Sequence, residues 1–261
     1  MMSIEDIYMN FGKNIYVYPT THVIVKGASI DLSASQFAWS VKSKKSIYND
    51  KTKMISIPAN DTAIIFTNEV LYVTNKIAGS YHSKVSFVAE GLGHIGTSLD
   101  PEFIGLSKLA IHNHSNKEFL LPVNHTIVSV CFHKLDTKVK EKAQPDCQDF
   151  VTSMRGVEGY KKFKNYVDQR PWIINSRKLK EETRNDSQFK EFRQALINES
   201  VISYNAKAIC KLVSPLIFVS LICLILCILF YNSKGNNELF IALLVIIIPP
   251  LTRLAYKLLE I

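Results

Sequence analysis

GLGHIGTSLDPEFIGLSKLAIHNHSNKEFLLPVNHTIVSVCF, from Gly91 to Phe132, decides the fold. Asp100-Pro101 reads as a turn: proline presets φ for the second turn position, and a short acidic side chain bonds its own backbone. An aromatic, Phe103, and a turn glycine, Gly105, complete it. Two alternating runs follow, Ser107–Asn113 and Phe119–Phe132, with the period of two expected of half-buried strands.

The same texture extends upstream. Asn14–Lys26, Gln36–Val41, Lys53–Pro58, Thr62–Thr67 and Val70–Thr74 are short runs rich in β-branched and aromatic residues between turn residues. Such runs recur at intervals of about ten residues as far as Lys134, the spacing of a closed all-β domain. Trp39 alternates with its strand neighbours and belongs to the core. Lys134–Asp149, polar and holding Pro145, reads as an arm. Glu158–Val167 and Lys178–Ile197 have helical spacing. In the second, Phe189, Phe192, Leu196 and Ile197 form an apolar stripe suited to the barrel, to another copy, or to a membrane surface. Trp172, after Pro171, marks a helix start or a membrane interface.

The C-terminus differs in kind. Leu212–Tyr231 carries no charge, and a helix over it spans roughly 30 Å, the hydrocarbon thickness of a bilayer. A polar turn, Asn232–Glu238, precedes a second apolar run, Leu239–Leu251. That run reaches across if Arg253 and Lys257 snorkel, with a kink expected at Pro249-Pro250. Lys207 and Lys211 before the first run, and Arg253 and Lys257 after the second, place both termini in the cytoplasm. Met1–Asn14 lacks the apolar stretch of a signal peptide. The expected organisation is a β domain over residues 1–135, a basic helical connector over 136–211, and a two-helix membrane hairpin over 212–261 of a two-pass inner-membrane protein.

The 261 residues carry a formal charge of +8. Most of the excess lies in the connector, as a solvated face or as a contact for anionic lipid or a phosphate-rich ligand. Basic residues interleaved with aromatics are not clustered, which argues against nucleic-acid polymers. Cys131, Cys147, Cys210, Cys223 and Cys227 form no C-x-x-C pair and read as reduced apolar fillers. His112 and His114 share one strand face, and no third metal ligand is identifiable beside them.

In order and spacing, the motifs resemble the superfamily of trimeric dUTP diphosphatases and dCTP deaminases. The G-x-S-L-D-P-x-F-x-G segment and the strands after it carry most of the likeness. Gly27-Ala-Ser-Ile-Asp-Leu-Ser33 is similar to the opening A-x-x-D-L motif. Ile57–Glu69 follows the deaminases' proline, turn, strand and T-x-E order. Lys84–Leu92 occupies the place of R-S-S-x-x-R-x-G-L, and Thr152–Tyr160 looks like the start of R-G-x-x-G-F.

The resemblance implies a mainly β, distorted-barrel nucleotide-binding domain in a homotrimer, with pockets between subunits. It also implies roles. Asp100 would orient water and contact deoxyribose, and Phe103 would stack on the sugar. Lys84 and Ser86 would meet phosphates, His94 would lie by the base, and Arg155 and Tyr160 would cover it.

The departures matter as much. The deaminases' carboxylate position is Ala110 and their second signature arginine is Ala89. Without that carboxylate no general acid or base serves deamination. The diphosphatases' R-S-G is only partly matched by Lys84-Val85-Ser86, and the glycine-rich end of their last motif becomes Lys161, Lys162 and Lys164. A kept pocket with eroded catalytic groups suits a nucleotide sensor, and a nucleotide-binding β domain joined to two spans resembles the membrane effectors of bacterial nucleotide-signalled antiviral systems. The alternatives are a membrane-tethered dUTP or dNTP diphosphatase using Asp100 and Mg2+, and a scaffold whose barrel binds nothing.

Overall fold

The computed structural model describes residues 1–94, 96–139, 156–200 and 202, with His94 described by its backbone. Contacts divide the chain between Ser200 and Val201, and the first unit, Met1–Ser200, holds the β domain and its helices. The two apolar runs expected to cross a membrane lie outside the described residues, as do Arg155, Cys147, Cys210, Cys223 and Cys227. Among the described residues, no helix is long and apolar enough to cross a membrane.

The unit is mainly β. Its strands are β1 (Ile15–Tyr18), β2 (Ile24–Lys26), β3 (Ser29–Ser40), β4 (Tyr48–Asn49), β5 (Met54–Ile57), β6 (Thr62–Val73), β7 (Ile77–Ser83), β8 (Leu92–His94), β9 (Ser98–Leu99), β10 (Ile104–Asn113), β11 (Phe119–Pro122) and β12 (Thr126–Lys134). The main sheet runs β8-β10-β6-β3-β12-β7-β9, with β1 added to β6 and β2 to β3. Its two ends, β8 and β9, are separated in the chain by residues 95–97 alone. From His94 to Ser98 the chain reaches at most about 14 Å, so the sheet must curl until its edges nearly meet. A three-stranded sheet, β11-β5-β4, completes the domain.

Two long strands make the curl possible. β3 pairs with β12 through Asp31, Leu32 and Ser33, then crosses to β6 from Ala34 onward. A register shift between Ala34 and Ala38 marks the bend, where the Ser35 hydroxyl accepts the Phe37 amide at 3.1 Å. Where β3 leaves β6, β1 takes its place and pairs with Val70–Val73. Thr62–Thr67 and Val70–Thr74, expected as two strands, are therefore one. The interruption at Asn68 is bridged by its side-chain amide, which donates to Ala34 O, Ser33 Oγ and Asn124 Oδ1.

Conversely, Phe119–Phe132 is two strands in two sheets, broken at Asn124, whose φ of +67° suits asparagine. Gly105 lies inside β10, paired with Leu71, and not in the turn.

The helices are α1 (Ile4–Asn10), α2 (Val85–Ala89), α3 (Tyr160–Asp168), α4 (Ser176–Asn185) and α5 (residues 187–200). The single helix expected over Lys178–Ile197 is broken at Asp186. That residue is extended, and its carboxylate accepts the Phe189 amide at 3.0 Å, capping α5. α3 docks through Phe163, fully buried and stacked on Phe66 at 4.8 Å. α5 docks through Phe189, stacked on Phe11 at 5.3 Å. Its apolar stripe therefore packs on the β domain. Trp39 is core, as expected, and Trp172 sits within a 3-10 turn, Pro171–Ile173, edge-on to Tyr18.

Candidate functional site

Lys84 ends β7's excursion and stands at the N-cap of α2 without a side-chain cap. Its ammonium pairs with the Asp31 carboxylate, which also accepts the Ser129 hydroxyl at 2.7 Å. The ladders explain the meeting, since Ser129 pairs with Asp31 on one side and with His82 on the other. The Asp31 side chain is 5% exposed and that of Lys84 is 24% exposed, so the lysine keeps a path to solvent. Ser86 and Ala89 are exposed on α2, beside Val85 at 83% and Val88 at 53%. Phe87 points inward, edge-on to Phe119 at 5.9 Å.

Asp100 follows β9 and is exposed. Its carboxylate accepts the Ser98 hydroxyl at 3.3 Å, and its carbonyl accepts the Phe103 amide at 3.1 Å, closing the expected turn. Glu102, at φ +65°, takes the left-handed position. Phe103 is half-buried against the core, and its carbonyl accepts the Val73 amide at 3.2 Å. Burial pushes the nearby Tyr81 phenol up, and the Asp100 charge adds to that shift. The loose contact of the Asp100 carboxylate suits a group waiting for water or a ligand.

The expected residues are not gathered in one place. Gly79 pairs with Leu99, so Asp100 lies beside Ala78, and Lys84 is about 20 Å further along β7. Tyr160 opens α3 after Gly159, whose φ of +78° is a left-handed cap. The preceding residue, Glu158, accepts Trp39 Nε1 at 2.6 Å and donates its amide to Lys44. Trp39 pairs with Ile64, whereas Phe103 lies by Val73, about 30 Å along β6. His94 pairs its backbone with Ile111. One chain thus presents three separate fragments: Lys84 with Ser86, Asp100 with Phe103, and Tyr160.

Ala110 lies on β10 opposite Ile64, half-buried. It shares its face with Lys108 and with His112, which meets the Thr62 hydroxyl at 2.9 Å. His112 and His114 do share a face, their rings 4.3 Å apart. A Cβ on Gly93 would sit 2.7 Å from His114 Nε2, so the glycine makes room for that ring.

Sequence reasoning missed a buried polar chain behind these fragments. Tyr81 and Ser107 hydroxyls meet at 2.8 Å, Thr67 Oγ1 accepts the Ser107 amide, and Thr67 donates to Glu69 O. The Glu69 carboxylate, 1% exposed, accepts the Ser33 amide at 2.9 Å and the Ser33 hydroxyl at 2.6 Å. Burial pushes the Glu69 carboxyl up, opposed by the two bonds from Ser33. Thr67 and Glu69 belong to the T-x-E order and Ser33 to the opening motif, so the signal was present without an assigned role.

No protein-family model matches the chain. Over 128 residues it is 27% identical to the dCTP deaminase of Thermococcus sibiricus, covering 49% of this chain and 81% of that one. The dCTP deaminase of Pyrococcus abyssi is also 27% identical over 128 residues, with 82% of it covered. Among solved structures, the EIAV dUTPase is 19% identical with a TM-score of 0.37, over 49% of this chain and 94% of that one. The 2'-deoxycytidine 5'-triphosphate deaminase of Agrobacterium tumefaciens is 13% identical with a TM-score of 0.41, over 50% of this chain and 45% of that one. The sequence similarity makes the β domain dCTP-deaminase-like.

Proposed function

We propose that the β domain binds a deoxynucleotide or a cyclic oligonucleotide without deaminating it, and that the chain is a nucleotide-responsive membrane protein of the bacterial antiviral-effector type. The observation that carries this reading is Ala110. It lies on β10, and by the motif resemblance it takes the position of the deaminases' carboxylate; a methyl group moves no proton. The separation of Lys84, Asp100 and Tyr160 supports a site completed between copies of the chain, as in a homotrimer. The apolar runs after Leu212 tether it to the inner membrane, with both termini cytoplasmic.

A second reading is favoured by the exposed, loosely held Asp100 carboxylate: a membrane-tethered dUTP or dNTP diphosphatase. Among the described residues no three His, Cys, Asp or Glu side chains cluster as metal ligands. In that reading Mg2+ arrives on the phosphates.

The test uses the full chain with dCTP, dUTP and the other dNTPs plus magnesium, and with cyclic di- and trinucleotides, following ammonia, pyrophosphate and melting temperature. Stabilisation by one nucleotide without turnover, weakened in Asp100→Ala, is the expected result. Ammonia release overturns the reading. Pyrophosphate release that disappears in Asp100→Ala establishes the diphosphatase instead.

A further inference from the structure

A second basic feature lies away from those fragments, where α4 and α5 meet β1. Lys180 and Arg184 stand one turn apart on α4, and Lys190 and Arg193 stand about one turn apart on α5. The break at Asp186 turns the two helices so that all four cations line a cavity of about 270 Å³ whose floor is Tyr16 and Phe189. Those two rings are stacked at 6.2 Å. The cavity shares no residue with Lys84, Ser86, Asp100, Phe103 or Tyr160.

The cations are positioned, not merely solvated. The Lys180 ammonium sits 5.7 Å from the Tyr16 ring centroid and 5.1 Å from that of Tyr72, within cation–π range. Arg193 Nε donates to Phe11 O at 3.1 Å, and among the described residues its other guanidinium N–H groups meet no acceptor, which leaves them for a ligand. Gly12 lets that side chain pass, because a Cβ there would lie 2.5 Å from Arg193 Cδ. Arg184 and Lys190 stand exposed at the rim.

No carboxylate lines the cavity, and among the described residues none of the four cations forms an ion pair. Asp186, the acid at the helix break, is engaged by the Tyr18 hydroxyl at 2.8 Å and by the Phe189 amide at 3.0 Å. The Asp186 charge also acts on Lys190, but one carboxylate against four converging cations leaves them repelling one another, a cost that an anion would turn into attraction.

From this arrangement we infer that the cavity binds a compact ligand carrying two phosphate groups. Its volume of about 270 Å³ equals roughly nine waters' share of liquid, enough for a pyrophosphate-sized group with its carrier lying outside. Either a soluble diphosphate or a bisphosphorylated lipid headgroup supplies that chemistry.

The test uses the full chain in a neutral detergent. Inorganic pyrophosphate and, separately, a short-chain bisphosphorylated inositol lipid are titrated at matched ionic strength, following heat and melting temperature. The rim variant Arg184→Gln/Lys190→Gln changes two exposed side chains and leaves the fold in place, as circular dichroism checks. It should bind at least roughly tenfold more weakly. Arg177→Gln/Lys178→Gln, exposed on α4 outside the cavity, matches its charge change and should bind as wild type. Asp100→Ala should also bind as wild type, so failure of the nucleotide reading and failure of this one are distinguishable. Binding of pyrophosphate identifies a soluble source, and binding of the lipid alone identifies a headgroup. Binding of neither probe, or equal weakening in the charge-matched control, overturns the inference.

Discussion

Phe163→Ala should release α3 from the β domain while leaving the sheet folded. The ring is fully buried and meets Phe66 at 4.8 Å, Phe37 at 4.9 Å and Trp39 at 5.6 Å. Truncating a buried phenylalanine costs about 3–5 kcal/mol. The other buried residue of α3 is Val167, whose burial stabilises by about 1.5–3 kcal/mol. Tyr166 also holds the helix, its ring 4.9 Å from Phe37, but a nine-residue helix has little stability of its own, so losing its largest buried anchor weakens the docking first. The loss should therefore appear as local opening and not as global unfolding. A cost of about 3 kcal/mol raises the opening equilibrium roughly a hundredfold. Hydrogen exchange of the full chain should show that acceleration at amides 160–168 and not in β6 or β10. Trp39 emission should shift to the red as its Nε1 bond to Glu158 O is lost. Phe163→Leu, which keeps most of the volume, should cost about 1.5 kcal/mol or less. Acceleration below threefold, or equal acceleration throughout the sheet, would refute the reasoning.

Glu69→Gln should flatten a pH dependence. The folded carboxyl is raised by burial, so its contribution to stability is full below the unfolded value of about 4.5 and is lost as pH rises through the folded value. Denaturation midpoints should show wild type falling relative to Glu69→Gln between pH 4 and 7, roughly; parallel curves would contradict the assignment. Asp186→Ala should cost about 1–2 kcal/mol at neutral pH by uncapping α5. Backbone bonding at Phe189 depresses that carboxyl, so the difference from wild type should shrink as pH falls below about 3.8; urea melts at two pH values decide it. Lys84→Met should cost about 2–3 kcal/mol, because it strands the Asp31 carboxylate with the Ser129 hydroxyl, whereas Asp31→Asn should cost less because Lys84 can turn to solvent. The reverse order in chemical denaturation would show that the lysine, not the aspartate, is the trapped partner.

Local pattern made the strands legible, because a half-buried strand must alternate and a turn must use residues that tolerate its dihedrals. The Asp100-Pro101 turn, the β10 run and the apolar stripe at Phe189 and Leu196 follow from that alone, though not which surface the stripe meets. Strand ends were less legible. β6 continues through Asn68 because of bonds to Ser33, Ala34 and Asn124, which no local window contains. The α4–α5 break was readable in principle: Asp186 precedes the run that begins at residue 187, but charged helical spacing on both sides masked the cap. The Asp31 partner of Lys84 and the burial of Glu69 depend on which strands become neighbours. Pattern fixes a strand's faces and leaves its neighbours open.

The scatter of the candidate residues has a physical consequence. The backbones of Asp100 and Lys84 stand about 20 Å apart, and a β-sheet cannot fold to bring them closer, because its ladder fixes their spacing. Either the motif residues serve separate purposes or the missing fragments come from other copies. The surface around Lys84 favours the second. Val85, Val88 and Leu120 are exposed there, and the Phe87–Phe119 contact joins α2 to β11 beneath them. Apolar side chains grouped beside Lys84 and Ser86 gain by being covered, as a second copy in the proposed homotrimer would cover them. Oligomerisation and ligand binding are then one equilibrium: a nucleotide that needs two chains stabilises their contact, and a chain that keeps its contacts presents a completed site. On the proposed reading, that linkage gives the domain a way to report nucleotide level as assembly.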